Sequence, residues 1–378
     1  MDLCVGISGS LIDSSNTAVD GIGHFTQQLI EQLTLSKIKT ERFAFPPFRG
    51  KASFERSLPM KHSYLLSSGV AALTQGKYCQ FDPRVDIFHA TDFKIIPMKC
   101  PVVATLWDAI PFAHPEWSGR AVKTRITQVL VKRSVRYADH IITASKHAAQ
   151  DAMKYYGVDE ANISILPCGV DDRWFEEVDD TIATYVLKQY GLKEGGYFLS
   201  VGTIQPRKNI DRLIDAYLAL PLSIRKERKL VLVGRYGWDS EVLVNRIKQL
   251  AKEGKLIWLT NVVSDDDLKF IYSKAGVFVF PSLYEGFGLP VVEAFACGIP
   301  VIASNATSLP EVTQGGAIEV NPYKVGEMSE AMQILATNSK EYQRITMLGK
   351  VRANEYRWKN KLPGFITLYK KIIDGSQK

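Results

Sequence analysis

Along this chain, short runs of apolar and β-branched residues alternate with longer stretches in which apolar positions recur every three or four residues. LCVGIS, DIFHAT, VVATLW and HIITAS are strand-like in the first half, as are YFLSVG, KLVLVG, LIWLT, VFVFPS and PVIAS in the second. Helical spacing fills the intervals: GHFTQQLIEQLTL, RAVKTRITQVLVKRSVRYADH, DRLIDAYLAL, EVLVNRIKQLAKEG, SDDDLKFIYSKAG and PVVEAFACG. This order predicts parallel βαβ layers. The series runs twice, interrupted by LPCGVDDRWFEEVDDT, whose Pro, Gly and acidic cluster place a junction within residues 167–184. The expected fold is α/β, with two doubly wound Rossmann-like domains, 1–178 and 179–356. A closing amphipathic segment, 357–378, is expected to pack back on the first. Two such lobes facing each other would frame a cleft, and ligands of open α/β sheets settle beyond the carboxyl ends of the strands. Chemistry is therefore expected in strand-to-helix loops.

Composition narrows the class. At 378 residues, 46% apolar and 23% charged, the chain exceeds what one hydrophobic core usually supports, which favours two domains. No apolar run approaches the roughly 20 residues of a membrane-spanning helix. The start, MDLCVGISGSLIDSS, carries no basic region ahead of an apolar stretch, so a cytoplasmic protein is expected. Five scattered cysteines without a CxxC pair suggest neither a disulfide framework nor a zinc site, and no metal site is expected. The net charge of +7 is uneven: Lys37, Lys39, Arg42, Arg49, Lys51, Arg56 and Lys61 cluster early, and Arg120, Lys123, Arg125, Lys132, Arg133 and Arg136 crowd one helical segment. A solvated helix face competes here with an anionic partner. A membrane surface suits the charge, each basic residue adding about 1 kcal/mol near anionic headgroups. No groove-reading motif or aromatic platform accompanies it, so no nucleic-acid partner is expected.

Two stretches carry candidate chemistry in the second half. In SVGTIQPRKNIDRLIDAY a strand ends at Gly202 and a helix begins near Asn209, which puts Arg207 and Lys208 just before a helix N-terminus. Free backbone N–H groups, a two-pronged guanidinium and a compact ammonium there suit a diphosphate. Neither Walker A nor GxGxxG is present. In LYEGFGLPVVEAFACG, Glu285 falls in a loop and Glu293 about one turn into a helix that starts at Pro290 and stops at Gly298. The glycines around Phe287 let backbone N–H groups approach a ligand closely. Ionised carboxylates accept from sugar or ribose hydroxyls, and they also form ordinary ion pairs. Both readings stand for Glu285 and Glu293. In the first half, Gly21 and Gly23 of DGIGHF open a helix whose backbone can approach a phosphate or an acceptor. His24, His89 at the end of DIFHA, and Asp108 in LWDAIPF are acceptor-side candidates, against surface, core and helix-capping roles.

These residues resemble the retaining, nucleotide-sugar-dependent glycosyltransferases of the GT-B fold, in the family 4-like group with an E-x7-E motif, here Glu285 to Glu293. The likeness spans nearly the whole chain. VDGIGHFTQQLIEQL resembles the amino-terminal glycine loop, LPCGVDDRWF the interdomain passage, VGTIQPRKNIDRLI the phosphate loop, and NATSLPEV the stretch after the E-x7-E helix. The resemblance implies that Glu285 holds donor-sugar hydroxyls with N–H groups of Gly286, Phe287 and Gly288, beside Gly202, Leu289 and Gly23. It implies that Glu293 grips the ribose, while Arg207 and Lys208 neutralise the diphosphate. It implies retention by front-face attack without a bound metal or other cofactor. Many relatives have His where Trp107 precedes Asp108, which leaves a histidine role at that position in doubt. VGTIQPRKN and GIGHFT are most similar to bacterial mannosyl- or rhamnosyltransferases of O-antigen and other surface polysaccharides. GDP-mannose is the favoured donor, with dTDP-rhamnose and UDP-sugars as alternatives, and a glycan on a polyprenyl diphosphate is the expected acceptor. A glycoside hydrolase using two carboxylates and a non-catalytic nucleotide-sugar-binding subunit are the readings of a different class.

Overall fold

The computed structural model describes residues 3–10, 12, 21–45, 58–60, 62–74, 76, 81–117, 122–238, 240–261 and 264–376. Arg49, Lys51, Arg56, Lys61 and Arg120 of the basic clusters lie outside these residues, as do the side chains of Lys123 and Arg125.

The chain divides into two compact units, one comprising Met1–Gly169 with Trp358–Lys378 and the other Val170–Arg357. The changeover thus falls at Gly169. The first unit holds β1 (Cys4–Ser8), β2 (Lys39–Ala44), β3 (Leu58–Pro59), β4 (Ile87–Ala90), β5 (Val102–Thr105), β6 (His140–Thr143) and β7 (Ile163–Ile165). They form one parallel sheet in the order β3-β2-β1-β4-β5-β6-β7. Every residue of β4 and β5 is buried, as expected for central strands covered by helices on both faces. The strands β2, β3 and β7 were not evident in the sequence. KTERFA mixes charge with its apolar end, and ISI has three residues with none buried.

The last helix, Trp358–Ser376, belongs to this first unit. Trp358 is buried against Phe25 of the helix Gly21–Leu35, with ring centroids 5.8 Å apart, and its indole N–H donates to Gln28 at 2.7 Å. A Cβ on Gly169 would lie 2.2 Å from that indole, so only glycine lets the chain pass there.

The second unit holds β8 (Tyr197–Val201), β9 (Lys229–Val233), β10 (Leu256–Leu259), β11 (Val277–Phe280), β12 (Val301–Ser304) and β13 (Ala317–Val320). This sheet is parallel in the order β10-β9-β8-β11-β12-β13. Its apolar core joins Phe198, Leu230, Leu232, Val277, Val279 and Ile302 to the helices that cover it. Both sheets reverse their order at one place: between β1 and β4 in the first, and between β8 and β11 in the second. Loops leaving neighbouring strands toward opposite faces open a crevice at such a point.

Candidate active site

In the second unit the crevice at β8 and β11 is lined by the loops that the charged motifs occupy. After β8 the backbone passes Gly202 into a single helical turn, Pro206–Lys208, then Asn209 in the left-handed conformation (φ 58°), then the helix Ile210–Ala219. Asn209 is buried, and its amide donates to the carbonyls of Pro281 (3.1 Å) and Pro322 (2.7 Å). That fastens the 202–209 loop to the starts of the loops after β11 and β13. A second tie runs from the Leu283 N–H to the Arg207 carbonyl at 2.8 Å. Behind it, Gly234 approaches so closely that a Cβ there would stand 2.0 Å from the Gly202 carbonyl oxygen.

The side chains of the two loops meet at Glu285. One oxygen, Oε1, accepts from Arg207 Nη1 at 2.7 Å and from Lys208 Nζ at 2.6 Å. Arg207 also donates to the Tyr284 carbonyl at 3.1 Å, and the Lys208 ammonium sits 4.4 Å from the centre of the Phe280 ring. Glu285 and Lys208 are both buried. Burial alone would raise the carboxyl, but the charges and hydrogen bonds of Arg207 and Lys208 outweigh it and hold Glu285 down at about 2. Lys208 is pulled down to about 8, chiefly by burial and further by Arg207, against the support of Glu285. The cluster therefore has two cations answered by one carboxylate. It remains cationic around neutral pH.

The backbone between the carboxylates is held open by small residues. The Glu285 N–H donates to Thr307 Oγ1 at 3.0 Å, and Ser308 Oγ lies 2.9 Å from the Glu285 carbonyl and 3.1 Å from that of Phe287. Gly288 has φ 105°, and a Cβ on it would lie 2.6 Å from Leu309 Cδ2. The helix Leu289–Ala296 starts there with Pro290 in its first turn. Phe287 is buried edge-on against Tyr356 at 5.4 Å. Glu293, half-buried on this helix, adds to the burial that pushes up the Tyr272 hydroxyl and the Cys297 thiol. The two carboxylates of the motif thus occupy different surroundings, Glu285 in the cationic cradle and Glu293 near Tyr272 and Cys297.

In the first unit, Gly21 stands exposed at the head of the helix Gly21–Leu35, with Gly23 buried and His24 half-buried in its first turn. His89 is a correction. It is fully buried, with Nδ1 2.8 Å from the Tyr369 hydroxyl and Nε2 2.7 Å from Thr105 Oγ1, and burial lowers it to about 3. A neutral imidazole with both nitrogens committed to the core does not serve an acceptor. Asp108 is half-buried, and its Oδ1 accepts from the Ile110 N–H at 3.1 Å, an Asx turn at the head of the short helix Ile110–Ala113. Trp107 packs edge-on against Phe25 at 4.7 Å and donates to the Thr91 carbonyl at 2.8 Å, so this position braces the ends of β4 and β5.

The family model described as "Glycosyl transferases group 1" matches residues 187–351, and that described as "Glycosyltransferase Family 4" matches residues 20–174. The O-antigen chain mannosyltransferase B of Escherichia coli is 32% identical over 286 residues, covering 75% of this chain and 74% of that relative. This chain is a glycosyltransferase of that family. The serotype-specific mannosyltransferase WbdA of Escherichia coli is 32% identical over 247 residues, 64% of this glycosyltransferase but only 30% of that longer relative. Among solved structures, sucrose-phosphate synthase from Thermosynechococcus elongatus superposes with a TM-score of 0.74 over 99% of the chain and 100% of its own length, at 19% identity. The fold is GT-B, and the hydrolase and non-catalytic readings give way to an enzyme that uses a nucleotide-sugar donor.

Asn209, Thr307 and Ser308 were not singled out as candidates, although they tie down the loops that carry Arg207, Lys208 and Glu285. The signal for Asn209 was its place directly after Arg-Lys and before a helical pattern, where Asn tolerates the left-handed conformation. Elsewhere in the first unit, Lys132, Arg133 and Arg136 are exposed beside the half-exposed Ile126 and Val129. They rim a cavity of about 630 Å³ with Phe112 and Tyr156 in its lining. Among the described residues, no helix is long and apolar enough to cross a membrane.

Proposed function

We propose that this glycosyltransferase moves mannose from GDP-mannose to a growing O-antigen or related surface polysaccharide, with retention at the anomeric carbon and without a metal. The observation that carries the reading is the Arg207–Glu285–Lys208 cluster at the reversal of the second sheet. The donor diphosphate would take over the two cations and free Glu285 to accept hydrogen bonds from sugar hydroxyls. The N–H groups of Gly286, Phe287 and Gly288 would lie along the sugar, beside Gly202 and Leu289, and Glu293 would accept from the ribose. The C1–O bond to the diphosphate breaks as the acceptor oxygen attacks C1 from the same face, and the acceptor proton passes to a diphosphate oxygen. Arg207 and Lys208 stabilise the charge that collects on the leaving group. Gly21, Gly23 and His24 would border the acceptor side. The curated relatives named above, both mannosyltransferases, support mannose over rhamnose or another hexose. A polyprenyl diphosphate carrying the acceptor would suit the exposed Lys132, Arg133 and Arg136, which would hold the enzyme on the inner face of the membrane.

Melting curves with GDP, UDP, dTDP and ADP identify the base, since a ligand of the native state raises the midpoint with its affinity. GDP is expected to give the largest shift. Glu285→Ala is expected to abolish transfer from GDP-mannose while retaining the shift by GDP. Undiminished transfer in that variant refutes the donor-sugar role. Co-sedimentation with anionic vesicles, lost in Lys132→Glu/Arg133→Glu, reads the membrane contact, and equal sedimentation of both proteins refutes it.

A further inference from the structure

The reversal of the first sheet, between β1 and β4, carries a second buried carboxylate that the candidate residues do not include. Asp92 lies two residues past the end of β4 and is 4% exposed. Its Oδ1 accepts from Ser8 Oγ, at the end of β1, at 2.7 Å. Its Oδ2 is buried and, among the described residues, makes no hydrogen bond. Lys94 Nζ lies 3.3 Å from that oxygen, an ion pair outside hydrogen-bond geometry, on a side chain about one-third exposed. The neighbouring Thr91 links the same place to the helix Gly21–Leu35, its Oγ1 2.8 Å from Thr26 Oγ1, and to β5 through the Trp107 indole. A buried carboxylate oxygen without a donor is costly, and native proteins rarely retain one without use.

We propose that Asp92 Oδ2 accepts the hydrogen bond of a sugar hydroxyl of the acceptor glycan and so positions it. This rests on the glycosyl-transfer reading of the enzyme. Ser8 fixes the carboxylate through its other oxygen, Lys94 faces Oδ2 while it is uncommitted, and movement of that flexible side chain opens Oδ2 to the incoming hydroxyl. Asp92 occupies, in the first sheet, the kind of crevice that the diphosphate cradle occupies in the second.

The test compares the wild-type full chain with Asp92→Asn and Ser8→Ala, using octyl α-mannoside as the acceptor probe and GDP-mannose as donor. Asp92→Asn is expected to raise the acceptor KM at least tenfold and to weaken saturation-transfer NMR signals of the mannoside. Its affinity for GDP is expected to stay within twofold of wild type. Ser8→Ala, which loosens the carboxylate but leaves Oδ2 in place, is expected to raise the acceptor KM by clearly less than Asp92→Asn does. An unchanged mannoside signal and acceptor KM in Asp92→Asn overturns the proposal. So does an equal rise in both variants, which would make Asp92 only the anchor of Ser8. Should Asp92→Asn fail to fold, Lys94→Met is the second probe, and an acceptor KM and mannoside signal unchanged there overturn the proposal. Loss of GDP affinity or of wild-type transfer would instead count against the donor reading, and the NMR arm reads Asp92 without turnover.

Discussion

In the second unit the buried carboxylate of Glu285 takes both nearby cations onto one oxygen, whereas in the first unit Asp92 binds a serine hydroxyl on one oxygen and leaves the other, among the described residues, without a hydrogen bond. Both sit where a parallel sheet reverses its order. The difference shows two ways of keeping a polar site in an otherwise apolar crevice. In the second unit one carboxylate offsets part of the charge of two cations. At Asp92 the second oxygen is faced by the partly exposed Lys94 ammonium and makes no hydrogen bond to the described residues.

The largest effects should come from the cradle. Lys208→Ala and Arg207→Ala are each expected to lower kcat by roughly two to three powers of ten, the usual loss for one charge-stabilising donor. Lys208 also sets a pH limit. Its folded value of about 8 lies below the ordinary lysine value, so the native state sheds this proton before the unfolded chain does. Donor affinity should therefore fall as pH rises through about 8, the ammonium being lost. Stability should rise from about pH 8 toward 10.5, where the unfolded chain binds the extra proton. Lys208→Arg, which stays charged, should flatten the rise in donor KM between pH 7 and 9.5. A donor KM that rises equally in both proteins would remove Lys208 from the site.

How much of this was legible in the sequence follows from what each residue depends on. The strands of both sheet centres were readable because residues such as Val277–Phe280 are buried on both faces and therefore uniformly apolar. Arg207, Lys208 and Glu285 stood out because charge beside glycine or proline in a strand-to-helix loop is rarely a packing choice. That Glu285 spends its charge on Lys208, 77 positions away, was not legible. Nor was the fate of His89, because Tyr369 reaches it from 280 positions along the chain. Asp92 was missed for the same reason, since Ser8 lies 84 positions before it and a lone Asp after a strand resembles any turn residue.

His89 and Asp92, three positions apart at the end of β4, sharpen the contrast between a satisfied and an unsatisfied buried polar group. His89→Phe would leave the Tyr369 and Thr105 hydroxyls without their partner and should cost about 2–4 kcal/mol. The kinetic constants should scarcely move. The unfolded imidazole titrates near 6.5 and the folded one near 3, so the unfolded chain binds the extra proton in between. The wild type should accordingly lose stability as pH falls from about 6.5 toward 3, and His89→Phe should lose that part of the slope. Urea titrations at pH 7 and pH 5 measure both. An acceptor KM raised in His89→Phe, at unchanged stability, would return this histidine to the acceptor side.

The smallest effect is expected at Asp108, and it bears on which carboxylate of the first unit meets the acceptor. Its Oδ1 already serves the Ile110 N–H in a half-buried turn, where water can compete for the same groups. Asp108→Asn keeps an oxygen that can accept this bond, so the change should cost less than about 1 kcal/mol. Acceptor KM should remain within about twofold of wild type, a difference of roughly 0.4 kcal/mol in binding. The same substitution at Asp92 removes the charge from an oxygen that water does not reach, so the two variants differ in burial and in unmet bonding while sharing their chemistry. If Asp108→Asn lost more acceptor affinity than Asp92→Asn, the hydroxyl would be held from the end of β5 and the crevice between β1 and β4 would be structural.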